Sequence, residues 1–125
     1  PNLSCRFFTH STETLLWAKK GKKAKHTFHY DAMKAQNGGK QMKCVWQFTP
    51  PNKLEKTFGK HPTQKPLALL ERCILAASNP GDLIFDPFMG SGTTGVAALK
   101  HGRQFCGCEV ETDYFELAQK RMKHD

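Results

Sequence analysis

Ten residues, Asp86-Pro87-Phe88-Met89-Gly90-Ser91-Gly92-Thr93-Thr94-Gly95, lie between the apolar run Leu83-Ile84-Phe85 and a helix-compatible segment, and their types suit a nucleotide-like ligand. Glycines 90, 92 and 95 spell G-x-G-x-x-G, which lets a backbone turn sharply and approach a ligand at a helix N-terminus. Alone, that glycine pattern is a weak signal. The acid-Pro-Phe-x-Gly-x-Gly-Thr-Thr context is far more specific, and Asp86 decides which ligand it favours. A pyrophosphate at the positive end of a helix would be opposed by a carboxylate at the strand tip. S-adenosylmethionine has no phosphate and carries a sulfonium and an ammonium, which the same carboxylate favours. The chemistry pointed to is methyl transfer rather than hydride transfer.

Two further groups of residues belong with this loop. Glu109 ends a second strand-like run, nineteen positions after Gly90, where in a doubly wound fold an acid reaches the ribose hydroxyls. His61-Pro62-Thr63-Gln64-Lys65-Pro66 precedes the first long helical pattern. Its prolines stiffen the backbone, Pro66 suits a first helical position, and its hydroxyl and amide groups suit a polar ligand. Spacing alone makes this a rigid helix entry. His61 has no nucleophile or metal partner at a recognisable spacing, so a structural role is expected for it.

The elements that position these residues follow from the pattern. Leu67, Leu70, Ile74 and Ala77 recur at three- and four-residue steps between Pro66 and Asn79-Pro80-Gly81, which predicts a helix. Then come strand 83–85, the glycine loop, helix 92–100, a turn at His101-Gly102, strand 104–110, and a last helix with Tyr114, Leu117, Ala118 and Met122 on one face. This β-α-β-α order predicts two parallel strands joined by a crossover helix. Upstream, strand formers at 12–18 and 26–30 flank Lys19-Lys20-Gly21-Lys22-Lys23-Ala24-Lys25, which predicts a β-hairpin with a basic tip. Residues 31–60 lack periodicity and read as a loop segment, with Trp46 and Phe48 as packing residues.

Composition sets the bounds. A chain of 125 residues is at most one ordinary domain, and its first residue, Pro1, suggests a fragment. Neither a secretory signal nor an apolar run of membrane-spanning length is present, so the expectation is a cytoplasmic protein with no membrane partner. The five cysteines, at 5, 44, 73, 106 and 108, are odd in number and form no C-x-x-C pair. Free thiols and no metal site are expected, with Cys106 and Cys108 packing on one strand face. Of the net charge of +8, residues 1–66 hold thirteen Lys or Arg against three Asp or Glu, while residues 67–125 hold six against eight. The first half is built for a polyanion, or at least for solubility. Lys19, Lys20, Lys22, Lys23, Lys40 and Lys43 are its candidate DNA contacts.

Three pieces in this order, His61 to Pro66, Asp86 to Gly95, and Glu109 followed by Asp113-Tyr114, resemble the C-terminal half of the β-class (permuted) amino-methyltransferases of DNA from restriction-modification systems. Thr12-Glu13-Thr14-Leu15-Leu16-Trp17-Ala18-Lys19 resembles the hairpin segment of the same family, so the likeness covers most of the chain. The resemblance implies part of a seven-stranded, Rossmann-like S-adenosylmethionine-dependent methyltransferase fold of the α/β class. It also implies methylation of adenine N6 or cytosine N4 in double-stranded DNA with a flipped target base. Residues 1–30 would then be the hairpin, 31–60 a target-recognition-like segment, and 61–125 the cofactor-binding part. A homodimer and a cognate restriction endonuclease are open as partners.

The family's roles place Asp86, Phe88, Gly90 and Gly92 around the methionine part and Glu109 on the ribose, with Thr63 and Lys65 closing over the methionine carboxylate. His61, Pro87, Ser91, Thr93 and Tyr114 complete the expected cofactor set. One departure stands out. The family holds the target amino group with an Asp, Asn or Ser followed by Pro-Pro and an aromatic, and no such tetrapeptide occurs in this chain. Thr49-Pro50-Pro51-Asn52 lacks both the acceptor and the aromatic and reads as a turn. No catalytic residue is therefore expected here; in the permuted order that loop lies upstream of Pro1. The leading expectation is an adenine-N6 DNA methyltransferase whose catalytic loop is elsewhere. Cytosine N4, a non-catalytic basic nucleic-acid-binding module and a nicotinamide-linked oxidoreductase are the alternatives.

Overall fold

The computed structural model describes residues 6, 8, 9, 11–59 and 61–124. Its regular elements are α1 (Tyr30–Gln36), α2 (Leu67–Ala77), β1 (Leu83–Asp86), α3 (Thr93–Lys100), β2 (Gln104–Gly107) and α4 (Thr112–His124), with one 3₁₀ turn at Leu54–Lys56. The strands pair in parallel, Leu83 opposite Gln104 through Asp86 opposite Gly107. Helix α3 is the crossover between them, as the β-α-β order requires.

Alternation along each strand sends Ile84 and Phe105 to one face, where they meet Ile74, Ala97 and Ala98 with Leu67 and Leu70 at the edge. Ala97 and Ala98 have no exposed surface, which brings the α3 backbone close to α2 and the sheet. The opposite face is open: Leu83 is 63% and Phe85 59% exposed. Cys106 and Cys108 lie in the open there rather than packing as expected, because no element among the described residues covers that side. Cys5 lies outside the described residues. Cys73, half-buried on α2, has its thiol pushed up by burial. No described helix is long and apolar enough to cross a membrane.

The element order downstream of Pro66 matches the sequence pattern, with three local differences. Pro66 sits at the helix cap rather than in the first turn, and Ala76, not Ala77, is the buried alanine of α2. Strand β2 ends at Gly107 instead of 110, because its partner runs into Pro87, which has no N–H to give. Two bonds carry the pairing a little further, Cys108 N–H to the Asp86 carbonyl at 3.0 Å and Met89 N–H to the Cys108 carbonyl at 2.9 Å.

Upstream the differences are larger. The expected hairpin forms no backbone ladder, although the chain does reverse at 20–23. Lys19 Nζ donates to the Ala24 carbonyl at 3.1 Å, and Trp17 meets His26 and Phe28 edge-on at 5.7 and 5.4 Å. Two strands with no third strand or covering layer are marginal in water, so the aromatic contacts close the turn without a sheet. Tyr30 begins a helix instead of ending a strand, and residues 31–60 hold most of α1 and the 3₁₀ turn rather than loop alone. Helix α1 is short and has one buried side chain, Met33, so it carries no periodic signal. It docks on α2 through His29, whose N–H donates to the Ala76 carbonyl at 2.9 Å. Trp46 and Phe48 do pack: they hold the Arg72 guanidinium of α2, 5.1 and 4.5 Å from their ring centres.

Helices α2 and α3 are also joined at their ends. Glu71 accepts from Lys100 at 2.9 Å and lies 3.2 Å from His101 Nε2. Burial alone would raise the Glu71 carboxyl, but the Lys100 and His101 contacts outweigh it and hold the group below the ordinary carboxylate range. A carboxyl depressed in the folded state stabilises the fold above its unfolded pKa, and that contribution is lost as pH falls through the folded value. Glu71→Gln is therefore expected to lower stability at neutral pH by about 0.5 kcal/mol, the scale of a partly exposed pair, and by nothing once pH has fallen below that value. Thermal unfolding of both forms across this pH range checks it; equal penalties at both ends would show that charge is not involved.

Candidate functional site

The turn between β1 and α3 bends through two left-handed residues, Gly90 at φ +52° and Gly92 at φ +76°. Any other residue would be strained there. A Cβ on Gly92 would stand 2.7 Å from Ala118 Cβ, and one on Gly90 would stand 3.3 Å from His61 Nε2. The turn is thus pressed between α4 on one side and the His61–Pro66 segment on the other.

Its polar groups are held by side chains from distant positions. Asp86 Oδ1 accepts the Phe88 N–H at 3.0 Å and Oδ2 accepts the Thr94 hydroxyl at 2.6 Å. Glu109 Oε2 accepts the Gly90 N–H at 2.9 Å and Oε1 the Glu111 N–H at 3.0 Å. The Glu111 amide, helped by those of Gly90 and Val110, holds the Glu109 carboxyl below its ordinary range against the opposing effect of desolvation. Both acids thus already accept hydrogen bonds from the protein, Glu109 from backbone amides and Asp86 from one amide and the Thr94 hydroxyl, and a ribose or ammonium would share them. From α4, Arg121 reaches under the turn: Nη1 donates to the Ser91 carbonyl at 2.7 Å and to the Ser91 and Thr93 hydroxyls at 3.0 Å each. The arginine is 2% exposed.

The His61–Pro66 segment is fixed as firmly. His61 meets the Tyr114 ring edge-on, 4.2 Å between centres, and its Nδ1 accepts the Thr63 N–H at 3.2 Å. Helix α2 has no cap of its own; Glu55 Oε2 accepts the Leu67 N–H at 2.9 Å, and the Glu55 carbonyl accepts from Gln64 Nε2 at 2.8 Å. Asn52 Oδ1 in turn receives the Leu54 and Glu55 amides. A bond spanning twelve residues therefore does what a local Ser or Asp usually does at a helix start.

Between segment and turn lies a pocket of about 170 Å³. Of the expected cofactor residues, His61, Thr63, Lys65, Asp86, Phe88, Gly90, Ser91 and Thr93 line it. Pro87, Gly92, Glu109 and Tyr114 do not: Gly92 is buried against α4, and Glu109 and Tyr114 brace the wall from behind. Gln64, Leu70, Met89 and Thr94 also line it; they lie outside the expected cofactor set, although the Gln64 amide suits a polar ligand and Met89 and Thr94 belong to the same loop. The volume is below the ~300–1,000 Å³ typical of pockets that enclose a whole ligand of cofactor size, so it takes part of one. Among the described residues no three His, Cys, Asp or Glu side chains gather as a metal site. The six candidate DNA lysines are all exposed, Lys40 and Lys43 just beyond α1 and the others at the turn around Gly21.

Sequence reading missed Arg121, although a signal was present: it falls four residues after Leu117 and three after Ala118, on the apolar stripe of α4. An arginine in that stripe needs a buried partner, and the turn supplies one. Replacing it with methionine leaves the Ser91 and Thr93 groups without their donor, so Arg121→Met is expected to cost about 3 kcal/mol of stability and to speed amide exchange at 91–94, with Arg121→Lys recovering part of both. Gly92→Ala is expected to cost about 2–4 kcal/mol from backbone strain and overpacking together. Denaturant unfolding with hydrogen exchange measures these; an Arg121→Met variant within ~0.5 kcal/mol of the parent would remove the arginine from this role.

This geometry has known relatives. Residues 1–120 match a family model described as DNA methylase. The Type II methyltransferase M2.DpnII of Streptococcus pneumoniae is 60% identical over 124 residues, covering 98% of this chain and 46% of that protein. M2.MboI of Moraxella bovis is 51% identical over 121 residues, with 97% and 44% covered. The chain thus spans about half the length of the curated relatives it matches. Among solved structures, the M1.HpyAVI–SAM complex is similar at a TM-score of 0.62 and 44% identity, over 81% of this chain and 46% of that one. The turn, the strand pair around it and the helices behind it are therefore part of a methyltransferase fold, and the chain belongs to the DNA methylase family of N6 and N4 amino-methyltransferases.

Proposed function

We propose that the protein methylates the exocyclic amino group of adenine, N6, in double-stranded DNA, with S-adenosylmethionine as donor, and that this chain is its cofactor-binding part. The observation that carries the reading is the pocket itself. A left-handed glycine turn, a strand-tip carboxylate and a lysine-bearing, proline-braced segment converge on a volume suited to the amino-acid half of that cofactor. Gly90 fits this use, since the space beside its Cα that a Cβ would take is bounded by His61. When bound, the cofactor supplies a methyl group made electrophilic by its sulfonium. The chain's own part is to hold it: Lys65 is the cation for the carboxylate, and the turn 90–93 presents its backbone to the methionine chain. Glu109 and Tyr114 keep the wall in place. Adenine is the working target within a family that acts on adenine N6 or cytosine N4.

The Asp/Asn/Ser-Pro-Pro-aromatic tetrapeptide that the family uses to orient the target amino group does not occur in these 125 residues. In this reading it is contributed from outside them, and these residues alone bind cofactor without transferring its methyl group. The exposed lysines at 19, 20, 22, 23, 40 and 43 neutralise DNA phosphates.

The intact protein, given duplex DNA and methyl-labelled S-adenosylmethionine, is expected to yield N6-methyladenine on nucleoside analysis, and its thermal shift with the cofactor is expected to vanish in Asp86→Ala. N4-methylcytosine as the product would move the target to cytosine. Stabilisation by NAD and none by S-adenosylmethionine would sink the reading. DNA affinity is expected to fall with salt at a log–log slope of about −4 if four to five lysines meet phosphates; a flat response would leave the lysines as solubilising groups.

A further inference from the structure

Lys65 does not stand alone at the pocket. Its Nζ lies 2.5 Å from Glu13 Oε2, a contact between positions 52 residues apart that brings Glu13 beside a residue of the pocket lining. The Glu13 side chain is 76% exposed, and Oε1 has no partner among the described residues. The other carboxylates near the pocket are committed. Asp86 spends its oxygens on the Phe88 amide and the Thr94 hydroxyl, Glu109 on the Gly90 and Glu111 amides, and Glu55 on the Asn52 and Leu67 amides.

An exposed ion pair contributes little to stability by itself, about 0–1 kcal/mol. Its position is what matters. An α-amino acid end carries a carboxylate and an ammonium two bonds apart on one carbon. An ammonium and a carboxylate already fixed side by side, Lys65 and Glu13, offer the complementary pair: cation to anion, anion to cation. Lys65 is the fixed half, because Pro66 and the Glu55-capped start of α2 follow it directly. Glu13 Oε1 has no partner among the described residues.

We propose that Glu13 and Lys65 together form a subsite for a zwitterionic α-amino acid, with Glu13 taking the α-ammonium of the cofactor and Lys65 its carboxylate. This rests on the cofactor reading above and deepens it. Glu13 then does two things. Without ligand it neutralises Lys65, which would otherwise attract any anion; with ligand it discriminates for the amino group. It is a binding residue of the site and takes no part in methyl transfer.

The test compares two neutral thioethers on the intact protein by calorimetry: S-adenosylhomocysteine, which has the amino-acid end, and 5′-methylthioadenosine, which lacks it. Glu13→Gln is expected to weaken the first by about three- to tenfold, the scale of a partly exposed charge-assisted bond, and to leave the second unchanged. Glu13→Asp is expected to recover part of the loss. Because Glu13 is exposed, unfolding is not the expected cause of any change, and unaltered 5′-methylthioadenosine binding shows that the nucleoside site is intact. Equal binding of S-adenosylhomocysteine by parent and variant overturns the proposal. So does tighter binding, which would make Glu13 a competitor for Lys65, and so does an equal loss for both ligands. A parent protein that binds neither ligand removes the cofactor reading together with this one.

Discussion

The structure depends on satisfying one turn. Between Asp86 and Thr93 the chain must leave a strand, bend through two left-handed glycines and enter a helix whose cap, Gly92, has no side chain to give. A turn so tight and so close to Ala118 strands amides and carbonyls that neither strand nor helix can pair. The remedy comes from all over the chain. Asp86 takes the Phe88 amide, Glu109 the Gly90 amide, and Arg121 the Ser91 carbonyl and two hydroxyls. Helix α4 is held to the turn by a guanidinium as well as by apolar contact, and Glu109, two residues past the end of β2, reaches back to the Gly90 amide.

What was legible in the sequence follows from that arrangement. The turn, its flanking strand and helices α2, α3 and α4 carry local signals: a glycine pattern, three- and four-residue apolar spacing, a proline at one end and Asn-Pro-Gly at the other. Each is decided within a dozen residues. Helix α1 was not legible, because seven residues with one buried methionine give no period. Nor was the Glu55 cap on α2, whose partner is twelve residues away. The expected hairpin failed for the opposite reason. Its strand formers are real, but propensity is only a local preference, and with no third strand beside it among the described residues it yields aromatic contacts across a turn. Of the residues expected at the cofactor, eight line the pocket, while Glu109 and Tyr114 touch residues that line it, Gly90 and His61, and Gly92 packs on Ala118 of α4.

The uncovered sheet face bears on how firmly the parts are held. Parallel strands are as a rule buried on both sides, yet Leu83 and Phe85 keep more than half their surface in the open. Against that, the pocket is fastened from the covered side and from α4, through Ala97, Ala98, Arg121 and the Glu55 cap. Its geometry thus draws on the well-packed side of the sheet.

In the proposed reading, the commitment of Asp86 to the Phe88 amide and the Thr94 hydroxyl bears on the choice of ligand. A carboxylate that accepts an amide and a hydroxyl still carries its charge. At about 6 Å, with an effective dielectric constant near 20, a unit cation gains and a unit anion loses about 3 kcal/mol. Asp86 is held rigidly where the pocket begins, so it acts as a fixed field that needs no direct contact. A pyrophosphate would meet that field with the wrong sign, twice over. A sulfonium would meet it with the right one, and the bonds that fix Asp86 to Phe88 and Thr94 would keep the field from relaxing when a ligand of either kind arrives.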